Sequence, residues 1–264
     1  MTENFETLGD VLAPSDAMKW QRKFAKFVIS VASAMLTITF VIVIFLLALE
    51  WYEPRGIAGL DRDMVLVTIG VLCVIWLLVT AALHTVRKRL AYPKPHPLLA
   101  ADRQNFMRDL RLDQKAAIFD GSNIYHFGRE NGVDAQPLGM LAHALREEGY
   151  RIVCFFDANI FFTLTEHGGM TASARHSISV LADLFGLEED EIYVVPSGVQ
   201  ADGYVLESLK HLPISFAVTN DKFRDYETLY PTVMKGNQWR KGVVFSNGEI
   251  KLLQHAFQSE LRVY

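Results

Sequence analysis

The chain has 264 residues, is 50% hydrophobic, and carries 26 Lys and Arg against 30 Asp and Glu for a net charge of −4. That charge excludes a protein that coats nucleic acid by bulk basicity. Two cysteines, Cys73 and Cys154, exclude a disulfide framework and a cysteine-based zinc site.

Residues 1–26 read as an N-terminal tail, polar and flexible over its first 18 residues. The apolar residues then concentrate. From Phe27 to Leu49 there are 23 residues without a charge, and from Met64 to Val86 another 23 broken only by His84. A hydrocarbon core about 30 Å thick needs about 20 helical residues, so 27–49 and 64–86 are each long enough to span it. In lipid, a helix satisfies its own backbone groups, which predicts a transmembrane hairpin. The length of the first run and the 26 residues before it argue against a cleaved signal peptide.

Charge predicts the orientation. Lys19, Arg22, Lys23 and Lys26 flank the first span, and Arg87, Lys88 and Arg89 follow the second. The intervening loop, 50–63, has only Arg55 and Arg62 against four acids. The positive-inside rule puts both termini in the cytoplasm and the loop outside. Ser30 and Ala34 provide a small-residue spacing that permits helix association, and with it a homo-oligomer, without settling the oligomeric state.

Residues 87–111 read as a linker stiffened by Tyr92-Pro-Lys-Pro-His-Pro97. The soluble domain is expected over 112–264. Short apolar runs at 116–119, 152–156, 192–195 and 214–218 predict strands. Helices are predicted over 135–148, 173–185 and 204–209, with Gly149 and Gly186 as stop signals. The segment 243–253 reads as a hairpin turning at Asn247-Gly248. Strands alternating with helices predict an α/β fold, a mostly parallel central sheet with helices on both faces.

In such sheets ligands bind beyond the carboxyl ends of the strands. The first strand ends in Asp120, followed by Gly121-Ser122-Asn123, and the second ends in Asp157. The fourth ends in Thr219-Asn220-Asp221, with Asp225 four residues on, a spacing that shares a face if helical. Asp202 opens the helix before that strand. Carboxylates gathered at one edge repel each other unless a cation is present, and oxygen-only donors select hard ions, Mg²⁺ or Mn²⁺. Taken one at a time, the acids also suit turns and helix caps.

Three motifs carry a resemblance: Asp120-Gly-Ser-Asn123; Val195-Pro-Ser197 ahead of Ala201-Asp202-Gly-Tyr-Val-Leu206; and Thr219-Asn-Asp-Lys-Phe-Arg-Asp225. In this order and spacing they resemble the regnase-type NYN domain ribonucleases of the PIN-like superfamily, over about residues 113–255. The resemblance implies a magnesium-dependent endoribonuclease with Asp120, Asn123, Asp202, Asp221 and Asp225 in the site and the four acids as metal ligands. The chain departs from the pattern twice. Gly203 stands where the family has a second acid, for which Asp157 is a candidate replacement. The zinc finger of eukaryotic members has no counterpart, so membrane attachment would localise the domain.

From residue 98 on, 16 Lys and Arg face 22 Asp and Glu, so RNA would have to be met by a local basic rim. Arg129, Arg175, Lys222 and Arg224 are candidates, with Lys235, Arg240 and Lys241 around Trp239. Tyr125-His126 and the Glu166-His-Gly-Gly169 loop are candidates for a channel border. The expectation is a membrane-anchored ribonuclease acting at the cytoplasmic face. The alternatives are a degenerate RNA- or protein-binding module tethered to the membrane and a phosphatase or nucleotide hydrolase using the same acids.

Overall fold

The computed structural model describes residues 5–52, 62–90, 94–171, 173–257 and 261–262. The chain divides into two compact units, Pro14–Pro95 and a second made of Met1–Ala13 with His96–Tyr264. After a short helix α1 (Leu8–Leu12) of the second unit come α2 (Asp16–Tyr52) and α3 (Arg62–Arg89) of the first. Both are long and apolar enough to cross a membrane. α2 runs past the expected span because Met18 to Lys26 contains no Gly or Pro to stop it. Phe40 and Trp76 stack between the two helices with ring centroids 5.0 Å apart. Phe27, Met35, Ile38, Phe45, Val67 and Leu78 are instead exposed, an apolar surface that water would not tolerate. Of the expected outer loop, residues 53–61 lie outside the described residues, as do 91–93 at the start of the Tyr92–Pro97 segment.

The second unit differs from expectation at its N-terminal side. Instead of a flexible tail, α1 is closed by a capping box. Thr7 Oγ1 accepts from the Asp10 amide at 3.3 Å, and Asp10 Oδ2 accepts from the Thr7 amide at 3.0 Å. The Leu8 amide donates to Leu110 O, and the Leu112 amide to Glu6 O. Leu8 and Leu12 are buried in a cluster with Met107 and Leu110. Five residues are too few for helical periodicity to register in the sequence.

The expected linker also contains structure. α4 (Pro97–Ala101) begins with Pro97 behind His96, whose Nδ1 accepts from the Leu98 amide. α5 (Phe106–Asp109) follows, with Asp102 accepting from the amides of Phe106 and Met107. Leu98, Phe106, Met107 and Leu110 are buried, so the part of the compact unit that follows the two long helices begins at His96 rather than at 112.

The chain then alternates through β1 (Ala116–Asp120), α6 (Gly121–Glu130), α7 (Gln136–Glu147), β2 (Arg151–Phe156), α8 (Ile160–Glu166), α9 (Ile178–Phe185), β3 (Ile192–Val194), α10 (Ala201–His211) and β4 (Ser215–Val218). A two-residue strand β5 (Arg240–Lys241) completes a parallel sheet ordered β3-β2-β1-β4-β5. α6 and α8 were not expected, and α9 starts at Ile178 instead of Ser173. α6, α7, α8 and α9 bury one face of the sheet through Leu141, Leu145, Leu164 and Phe185. α10, with α1, α4 and α5, buries the other through Tyr204, Val205 and Leu209. Burial on both faces explains why β1 reads as an unbroken apolar run.

The predicted hairpin is present as β6 (Val243–Ser246) and β7 (Glu249–Leu252), with β8 (Leu261–Arg262) pairing on β7. Asn247 and Gly248 have φ of 53° and 75°, the left-handed pair of a type I′ turn. Leu8 is fully buried, so Leu8→Ala should cost about 2–4 kcal/mol. Thermal unfolding of the full chain in detergent should show the loss, and an unchanged midpoint would mean α1 is not part of the folded unit.

Candidate functional site

β1 lies between β2 and β4, so its carboxyl end is the centre of the sheet edge. Asp120 ends β1 and is 4% exposed. Its Oδ2 accepts from the Thr219 hydroxyl at 2.9 Å, and its Oδ1 from the Asn123 amide at 3.3 Å. Burial, with the nearby charges of Asp202 and Asp157, pushes its pKa up to about 7 against the pull of the Thr219 and Asn123 hydrogen bonds. Gly121 lets α6 turn off the strand here. A Cβ at that position would lie 2.6 Å from Phe156 and 2.7 Å from Cys154 Sγ, so the glycine is required by close helix–strand packing.

Asn123 sits in the first turn of α6. Its Oδ1 accepts from the Asn220 amide at 2.9 Å and lies 3.2 Å from the Thr219 hydroxyl. A backbone N–H can only donate, which fixes the carboxamide with its oxygen toward β4 and leaves the Nδ2 donors for other partners. Thr219 was not singled out from the sequence. It is fully buried and joins Asp120, Asn123 and the Asp221 amide. Its signal was a hydroxyl directly after the short strand β4, which lies next to the central one.

Asp202 lies in the first turn of α10. Burial raises its pKa to about 6, and the charges of Asp221, Asp157 and Asp225 add to the rise. Asp120 and Asp157 stand at the carboxyl ends of β1 and β2, Asp202 in the first turn of α10, and Asp221 and Asp225 beyond the end of β4, so all five lie along one sheet edge. Among the described residues, however, no three His, Cys, Asp or Glu side chains converge on one point. Asp157 is occupied structurally: its Oδ1 accepts from the Ala201 amide at 3.0 Å, capping α10, while its own amide donates to Ser122 Oγ.

The expected helical face shared by Asp221 and Asp225 is not present. Asp221 folds into a turn, its Oδ1 accepting from the Phe223 amide at 2.8 Å, and only 224–226 form a single 3₁₀ turn. Phe223 has φ of 46° and is buried, which breaks the helix between the two acids. Both acids remain exposed at the rim. Asn220 also points away from the acids, its Oδ1 accepting from the Val243 amide at 2.8 Å.

The basic candidates separate. Lys222 and Arg224 are exposed beside the acids and line a cavity with Arg240 and Trp239. Arg129 pairs with Asp134 at 2.7 Å and faces a different cavity with Tyr125 and His167. Tyr125 Oη lies 3.2 Å from His167 Nδ1, so this pair borders that second cavity. Arg175 is exposed ahead of α9. Lys241 turns inward, its Nζ 2.9 Å from His255 Nδ1 and over the Phe216 ring, so it does not contribute to a rim. Trp239 is half-buried and stacks on Phe223.

In comparisons with known proteins, no family model matches the chain, no curated protein matches it, and no solved structure matches it.

A carboxyl whose pKa is raised by folding leaves the folded state most stable below its unfolded value, and that stability is lost as pH rises through about 7. Asp120→Asn cannot ionise. In EDTA at pH 8 it should therefore be more stable than wild type by about 2–4 kcal/mol, the difference fading toward pH 4. Chemical denaturation across that range checks this, and equal stabilities at pH 8 would show that Asp120 is not desolvated.

Proposed function

We propose that the chain is a membrane-anchored endoribonuclease of the NYN type, dependent on Mg²⁺ or Mn²⁺ and hydrolysing RNA at the cytoplasmic face. The observation that carries the reading is a buried carboxylate, Asp120, at the centre of a parallel sheet edge with Asp202, Asp221 and Asp225 around it. Such an edge is where open α/β sheets bind ligands.

The donor set fits a hard divalent ion. It is made of carboxylate oxygens, and a cation beside Asp120 and Asp202 would offset the burial that raises both pKa values. Mg²⁺ keeps several waters and needs only one or two direct carboxylates, so a convergent three-residue cage is not required. Asp120 and Asp202 would hold the ion, with Asp221 and Asp225 at the open side. When bound, the ion supplies Lewis-acid stabilisation of the charge that develops on a phosphodiester. The chain's own contribution is orientation. Thr219 and the Asn220 amide fix the Asn123 carboxamide, so that its Nδ2 donors are available to a phosphate oxygen. The Ser122–Asp157–Ala201 connection holds α10, and with it Asp202, in register with β1.

The anchoring belongs to the same reading. Residues 5–13 pack in one unit with residues from His96 on, which supports both ends of the helical pair lying on one side of the membrane. The basic flanks favour the cytoplasmic side.

A second reading, a domain that binds RNA or a protein without cleaving, draws on Gly203. A Cβ there would find its nearest atom, Tyr226 Cε1, at 4.0 Å, so packing does not impose the loss of the acid. Both readings are tested on the full chain in nanodiscs with single-stranded and structured RNA, in Mg²⁺, Mn²⁺ or EDTA. Cleavage in metal that disappears in EDTA and falls at least about 100-fold in Asp120→Asn is expected. Gly203→Asp should fit without strain and raise the metal-dependent rate. Intact RNA under every metal, in both wild type and Gly203→Asp, would favour the binding module.

A further inference from the structure

Beside the acids, on the far side of the 219–225 segment, lies a cavity of roughly 460 Å³, within the range of ligand pockets. Lys222, Arg224 and Arg240 line it against a single carboxylate, Glu227. The surplus of positive charge stands out in a domain where acids outnumber bases by 22 to 16 from residue 98 on. The remaining wall is mixed, with the Trp239 ring and Met234 as apolar surface and Asn237 and Gln254 as carboxamides. The segment that carries Asp221 and Asp225 also carries Lys222 and Arg224 between them. Arg240 Nη1 reaches the carbonyl oxygens of Thr219 and Asn220, each at 3.4 Å. The cavity and the acid edge therefore share one wall, and Asn220, tied to the Val243 amide, fixes that wall in place.

We propose that this cavity is the subsite for the nucleotide next to the scissile phosphate of single-stranded RNA. The inference rests on the nuclease reading of the neighbouring acids. Three cations suit a phosphate, and Arg240 adds a planar fork of donors to it. A nucleobase has apolar faces and a polar edge, which Trp239 with Met234 and the two carboxamides match respectively. A base seated in a recess cannot be paired, so the site selects single strands over duplex.

The test uses the full chain in phosphatidylcholine nanodiscs and a labelled eight-nucleotide oligouridylate, with binding read by fluorescence anisotropy in EDTA over a range of salt. Lys222 and Arg224 are exposed, so the double variant Lys222→Ala/Arg224→Ala should keep the wild-type melting temperature. It should bind at least about ten-fold more weakly, with a salt slope shallower by about 1.4, the value for two phosphate contacts on a single strand. Asn237→Glu, which puts a carboxylate into the wall, should also weaken binding. A blunt RNA duplex of equal length should bind less well than the single strand. Absence of wild-type binding, equal affinity and slope in the double variant, or duplex binding as tight as single strand would overturn the subsite. Cleavage is scored separately in Mg²⁺. Binding with the predicted variant effects but without cleavage would keep the cavity as a single-stranded RNA site and remove the nuclease reading.

Discussion

A carboxylate buried at the end of the central strand is the constraint on which the rest of the sheet edge depends. Asp120 is placed there by β1, whose neighbours on both sides leave it only 4% exposed. Burying an ionisable group without a counter-charge is costly, and the cost appears as a pKa displaced to about 7. The surrounding structure is arranged to tolerate it. Thr219 on the adjacent strand donates to it, the first turn of α6 supplies the Asn123 amide, and Gly121 allows that helix to start close enough. Asp157 and Asp202 then add like charge. A fold selected for stability alone would place an apolar residue or an amide at this position. On the proposed function, the acid at this position suits a cation at the sheet edge.

Much of the architecture was legible because burial on both faces gives the parallel strands their unbroken apolar runs, and because Gly149 and Gly186 close helices where the periodicity stops. The carboxyl-edge positions of Asp120 and Asp157 followed from the strand ends, and Asp202 was read at the start of the helix before the fourth strand. What was not legible depends on tertiary context. α1 is too short to show a period and is ordered by Leu110, Leu112 and the cluster around Met107. The spacing of Asp221 and Asp225 suggested a helix, but the buried Phe223 side chain turns the backbone between them into the left-handed region. Asp157 caps α10 across 44 positions of sequence, a pairing that no local pattern contains. Thr219 is an ordinary strand residue until β4 is set beside β1.

The N-terminal segment changes how the membrane-anchored reading is understood. α1 and α4 flank the two ends of the helical unit in sequence and bury residues in the same cluster. On the proposed reading the domain is held at two points of the chain rather than hanging on one linker. His96, at the second junction, lies 3.6 Å from the buried Glu207 of α10, the helix whose first turn carries Asp202. His96 and Asp202 thus both bear on α10.

On the proposed function, the Asp120 edge holds a divalent cation. The most direct measurement is a Mn²⁺ titration of the full chain in detergent micelles at pH 7.5, followed by the electron paramagnetic resonance signal of free Mn²⁺. Wild type is expected to remove Mn²⁺ from solution, added Mg²⁺ to displace it, and Asp120→Asn to leave the ion free. Mn²⁺ held equally by the variant, or by neither protein, would contradict this reading.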